Sequence, residues 1–97
     1  AKTIILINGM EIVGKVLDEN DKFVRVGNPL RFDVQIDDKK IAFAPGPMSF
    51  AIERDQAVDI NKAVVVTVAK TLKGLESIYR EMTSSIVLPP STGQVIL

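Results

Sequence analysis

Turn signals recur about every 8–12 residues through the first half of this chain, and they cut it into short, β-branched segments. Thr3 to Ile7 is β-branched and apolar and reads as a strand. Asn8-Gly9 follows, a strong two-residue hairpin signal because both positions tolerate positive φ. Met10 to Leu17 reads as the second strand, with Met10, Ile12, Gly14 and Val16 alternating against Glu11, Val13, Lys15 and Leu17. Gly14 inside a strand implies a bend or a close backbone approach. Asp18-Glu19-Asn20-Asp21 is a polar turn, Phe23 to Val26 is a third strand, and Gly27-Asn28-Pro29 is expected to break it. Leu30 to Ile36 alternates again, with Leu30, Phe32, Val34 and Ile36 on one face. Asp37-Asp38-Lys39-Lys40 turns the chain into Ile41 to Ala44, which Pro45-Gly46-Pro47 is expected to stop before Met48 to Ile52 resumes an extended pattern. Short strands at this spacing predict a small antiparallel barrel or sandwich.

The pattern changes after Asp59. Val65, Val68, Leu72, Leu75, Tyr79 and Met82 fall at spacings of three and four, which predicts a helical stripe. Asn61 is a suitable N-cap, and Glu76 to Arg80 is a favourable i,i+4 pair. The expectation is one helix from 62 to 84. A last strand over 63–68 is the alternative, because valine-rich segments favour strands. Such a helix would span roughly 35 Å, overhang a barrel this small, and call for a neighbouring subunit to cover its stripe. Pro89-Pro90 ends any helix, and the apolar end Val95-Ile96-Leu97 docks as an edge strand or stays loose. The expected organisation is a barrel over 1–60, a C-terminal helix over 61–85 packed on the barrel or on a neighbouring subunit, and an extended tail over 86–97.

Composition narrows the chemistry. Among 97 residues there is no Cys and no His, which excludes disulfides, thiolate sites, His-dependent triads and zinc-protease motifs. The serines lack a base, no S-x-x-K spacing occurs, and the glycines form no phosphate-binding loop. Twelve basic residues balance twelve acidic ones, with seven of each in residues 1–49 and five of each in 50–97. There is thus no overall basic excess of the kind that phosphate binding favours. No apolar run is long enough for a membrane span, and the start lacks the pattern of a signal peptide, so a cytoplasmic protein is expected.

The first hairpin resembles the opening motif of the Sm and Sm-like family. Leu6, Gly9, Gly14 and Val16 stand at that motif's spacing, and Asp21 follows at the turn into the third strand. Val24-Arg25-Val26 falls where the family has an apolar or aromatic residue, then Asn, then Leu. Pro45-Gly46 looks like a weak form of the second motif, where the family has Arg-Gly. The resemblance covers residues 3–53. It implies a mainly β fold, a strongly bent five-stranded antiparallel Sm-like (SH3-like) barrel, and a ring in which strand edges of neighbouring subunits pair. The family's RNA-reading Asn and Arg are replaced here by Arg25 and Pro45, so ring building is better preserved than base readout. A phage or accessory member of the family would suit this short form.

The candidate nucleic-acid contacts are therefore Val24, Arg25, Pro45 and Gly46, with Lys39 and Lys40 as a basic rim. Val24 offers no π face for stacking, while Arg25 can contact phosphate or stack on a base. Asp18, Glu19 and Asp21 lack the ligand pattern of a calcium loop, and neither metal nor cofactor is expected. The expected function is a non-enzymatic, homo-oligomeric ring that binds single-stranded RNA. The alternative is a structural or adaptor ring that binds another protein through its C-terminal helix.

Overall fold

A computed structural model describes residues 1–49, 51–53 and 56–84. Six strands and one α-helix follow in the order β1 (Lys2–Leu6), β2 (Glu11–Glu19), β3 (Phe23–Asp37), β4 (Lys40–Pro47), β5 (Val58–Asn61), β6 (Val65–Lys70) and α1 (Lys73–Thr83). A 3-10 turn, Lys62–Val64, joins β5 to β6. The fold is thus mainly β with a C-terminal helix. All pairings are antiparallel, in the order β4-β3-β2-β1-β6, and β5 pairs with β3. Among the described residues the sheet is not closed: β4 and β6 end the path, and the strands number six rather than the expected five.

The β1–β2 hairpin forms, with one more loop residue than a two-residue turn. Gly9 N donates to Leu6 O and Leu6 N to Met10 O, each at 2.9 Å, so the loop is Ile7-Asn8-Gly9. Gly9 alone in it takes positive φ, at 86°. This is the three-residue hairpin in which a tight turn is followed by a left-handed glycine.

Gly27-Asn28-Pro29 bends the chain instead of breaking it. Strand β3 runs through all three residues, and the β2–β3 register shifts at the bend, between Gly27 and Leu30, and once before it, between Arg25 and Val26. Asn28 carries φ 48°, a left-handed conformation that its short polar side chain tolerates. The bend lets β3 serve two partners. Phe23 to Val26 pairs with β5, and Leu30 to Asp37 pairs with β4.

Strand β4 also includes the residues expected to stop it. The turn is Asp38-Lys39, closed by Asp37 opposite Lys40. Counting from that closing pair, Pro45 and Pro47 fall at positions whose N–H would point away from β3. Their missing donors cost the ladder nothing, and they blunt the outer edge of an end strand. Met48 and Ser49 are not in a strand, contrary to the extended pattern expected there; Phe50 and the tail 86–97 lie outside the described residues.

The largest correction concerns 62–72. The valines form β6, paired with β1 from Leu6 opposite Val65 to Lys2 opposite Lys70, so the strand alternative is the right one. Asn61 does cap, but it caps the 3-10 turn, accepting from Ala63 N at 2.9 Å. Helix α1 has 11 residues and a length of about 16 Å, less than half the expected span.

Two cores lie on opposite faces of the sheet. Ile4, Leu6, Ile12, Val24, Val26 and Ile60 form one, with Val16, Val58, Val65 and Val68 packed around it. Val13, Phe32, Leu75, Ile78 and Tyr79 form the other, beneath α1. Ile12 and Val13 feed different cores because successive strand residues face opposite ways. The apolar side of α1, Leu75, Ile78, Tyr79 and Met82, is therefore covered by the chain's own sheet, while Leu72 before it stays exposed. Beyond Phe32 and Phe43 the β3–β4 hairpin projects as an arm. Its apolar face continues outward as Val34, Ile36 and Ile41, and Ile36 is 81% exposed and Ile41 57%.

Candidate nucleic-acid interface

Alternation along β3 decides which side chains can meet a ligand. Val24 and Val26 are fully buried in the first core, whereas Arg25 is exposed and Phe23 half-buried. Val24, a candidate from the sequence, is corrected on this ground: its side chain packs inward and meets no ligand. Phe23 takes its place as the available π surface.

Local hydrogen bonds hold Phe23. Asn20 Oδ1 accepts from Lys22 N at 2.8 Å and from Phe23 N at 3.0 Å, and Asn20 N donates to Phe23 O at 3.0 Å. The Asn side chain thereby fixes the β2–β3 turn from within. Across the strands Phe23 faces Asn61 and Arg25 faces Asp59. The Arg25 guanidinium lies over the Phe23 ring, 5.2 Å from its centroid, in cation–π range. It also donates twice to Asp59, from Nε to Oδ1 at 2.8 Å and from Nη2 to Oδ2 at 3.2 Å. That two-point hydrogen bond, and then the charge, raises the pKa of Arg25 and lowers that of Asp59. Next to this pair the 3-10 turn docks on the β2–β3 turn, with Lys62 N donating to Lys22 O at 2.9 Å. The Lys62 ammonium is ion-paired with Glu19.

One end of the sheet thus gathers Lys22, Phe23, Arg25 and Lys62 with Glu19 and Asp59. Of these six, only Arg25 is a candidate contact from the sequence. A period-2 count outward from Val24 would have found Phe23, but only the β3–β5 pairing brings Asp59 and Lys62 there.

The remaining candidates lie elsewhere. Lys39 and Lys40 sit at the tip of the arm, at the far end of β3 from Arg25. Pro45 and Gly46 pair with Phe32 and Arg31 at the root of the arm. None of these four joins the Arg25 cluster. A cleft of about 350 Å³ opens between the Asn8-Gly9 turn and Arg31 to Val34. Its one cation, Arg31, is paired with Asp33 at 3.3 Å. Among the structural-motif residues, Leu6 is in the core, Gly9 makes the turn, Gly14 is buried against Val26, and Asp21 is exposed in the β2–β3 turn.

Among the described residues, no helix is long and apolar enough to cross a membrane. The chain matches no protein-family model, and no curated protein matches its sequence.

Proposed function

We propose that this chain is a subunit of an Sm-like, ring-forming binding protein that holds single-stranded RNA on the Phe23–Arg25 surface. The observation that carries the reading is the guanidinium of Arg25 over the ring of Phe23, exposed and flanked by Lys22 and Lys62. Unpaired bases stack on aromatic rings and on guanidinium planes, and that contact tolerates any base. The barrel part of the reading draws support from the first core. Five strands, β1, β2, β3, β5 and β6, contribute side chains to it, and the 3-10 turn links the last two. The ring part draws support from β4 and β6, which end the sheet path among the described residues. The part of the β4 edge ahead of its prolines, Ile41 to Ala44, meeting the edge of β6 in a second copy is a head-to-tail contact, and such contacts close into rings when the rotation permits.

Binding is measured by fluorescence anisotropy with labelled uridine-rich, adenine-rich and mixed oligoribonucleotides at low salt. Phe23→Ala and Arg25→Ala are each expected to weaken binding about 5- to 150-fold, the equivalent of about 1–3 kcal/mol for one stacked base. Absence of binding by the unaltered protein to all three strands at low salt sinks the RNA reading. Native mass spectrometry tests assembly separately. A closed oligomer is expected, and a monomer at micromolar concentration overturns the ring.

The adaptor reading is also favoured by one observation, the apolar arm formed by Val34, Ile36 and Ile41. Its protein-binding surface would be that arm and not the helix, whose apolar side is already packed.

A further inference from the structure

Of the three cations gathered at Phe23, Arg25 on β3 and Lys62 on the 3-10 turn are already neutralised within the chain. Asp59 occupies the guanidinium fork of Arg25 at two points, and Glu19 holds the ammonium of Lys62. The fork is the edge by which arginine grips a phosphate, and here a carboxylate fills it. What the filled fork leaves accessible is the rest of the guanidinium, which lies over the Phe23 ring in a side chain 45% exposed.

We infer that Glu19 and Asp59 determine the ligand class of this surface: by occupying Lys62 and Arg25 they disfavour phosphate gripping and select strands with unpaired bases that stack. The inference rests on the proposed nucleic-acid function and refines it. Asp59 acts as a positioning residue, since it fixes the guanidinium over the ring while withholding its fork. A duplex, whose bases are already stacked and whose outward surface is phosphate, gains little from such a site.

The test uses the full chain and labelled single-stranded and duplex RNA of one sequence, titrated between about 50 and 200 mM KCl. For the unaltered protein the expected result is a shallow dependence of log K on log salt and a preference for the single strand. Glu19→Gln and Asp59→Asn are expected to steepen that slope by about 0.7 for each released cation that engages a phosphate. Over the stated range this is about a 2- to 3-fold additional loss of affinity per cation. Duplex binding at low salt should rise in both variants. Asp33→Asn, which removes the partner of Arg31 instead, is expected to leave the slope as it was.

A slope in both Glu19→Gln and Asp59→Asn equal to that of the unaltered protein overturns the inference while leaving nucleic-acid binding intact. A uniform fall in affinity at every salt concentration, with no change of slope, means that the acids are merely structural and also overturns it. Absence of binding to either RNA by the unaltered protein and the variants at low salt removes the proposed function, and the inference with it.

Discussion

Replacing Gly14 with alanine is expected to destabilise the fold by about 2–3 kcal/mol, the upper part of the usual range for overpacking a core. In a domain of this size that corresponds to a fall in Tm of roughly 10–20 °C. A methyl group at Gly14 would stand 2.2 Å from Cγ1 of Val26 and 3.1 Å from the carbonyl oxygen of Gly27. Real Cβ atoms do not approach other atoms at the first distance, so something must move. Val26 is fully buried and β-branched, with little rotamer freedom to give way. Movement of the backbone would disturb the β2–β3 pairing beside the bend. Denaturant unfolding of Gly14→Ala, Val26→Ala and the double variant checks this. The double variant is expected to be more stable than the sum of the single effects implies, because the methyl group at position 14 then faces the space that Val26 vacated. A single-variant effect below about 0.5 kcal/mol would mean that the contact relaxes freely. All variants must be compared at one protein concentration, since any assembly would couple to unfolding.

The second large effect is expected at Tyr79. Among the described residues it is the largest fully buried side chain, and it belongs to the core between α1 and the sheet. Its hydroxyl donates to the carbonyls of Asn28 at 2.9 Å and Gly27 at 3.2 Å, at the bend of β3. One residue therefore holds the helix to the sheet and also satisfies the backbone where the strand turns. Tyr79→Ala is expected to cost about 3–5 kcal/mol, as for other large aromatic truncations. Tyr79→Phe isolates the hydroxyl and is expected to cost about 1–2 kcal/mol, because the two carbonyls lose their donor. Equilibrium denaturation measures both. A neutral Tyr79→Phe would show that the bend does not depend on the helix. The pH dependence gives an independent check. Burial raises the pKa of the Tyr79 hydroxyl above its ordinary value of 10.0. The unfolded chain then ionises first. The stability associated with this group is complete below that pH and declines as pH rises toward the folded value. Tyr79→Phe should lack this part of the alkaline decline.

Legibility varied from element to element for physical reasons. The first hairpin was readable because alternation and Asn8-Gly9 act locally, over a few residues. Gly14 was readable as a place of close approach for the same reason. The segment from Val64 to Leu72 was not. Val65, Val68 and Leu72 satisfy a helical spacing, and a β-branched run satisfies a strand. The free edge of β1 decides between them, since it accepts Val65 to Lys70 over its whole length. Gly27-Asn28-Pro29 and Pro45-Gly46-Pro47 carry the residues of a break, yet a strand runs through each. Residues that favour turns can also bend a strand or face the open side of an edge, and which occurs depends on the partner strand. In the candidate interface Arg25 was visible, but its setting was not. Asp59 lies 34 positions along the chain and Lys62 lies 43 positions from Glu19, so only strand pairing brings these groups together.

By itself the sequence determined the local pieces of this protein. It set short alternating strands, a tight first turn, an amphipathic segment around Leu75 to Met82, and a chemistry without thiols or imidazoles. Periodicity and composition act through each residue's own backbone and side chain, so they can be read one segment at a time. Tertiary structure alone decided that the valines join the sheet, that the helix is short and covered by its own sheet, and that Arg25 meets Phe23 and Asp59. Those outcomes depend on which edges and faces find partners, a property of the assembled sheet and not of any one segment.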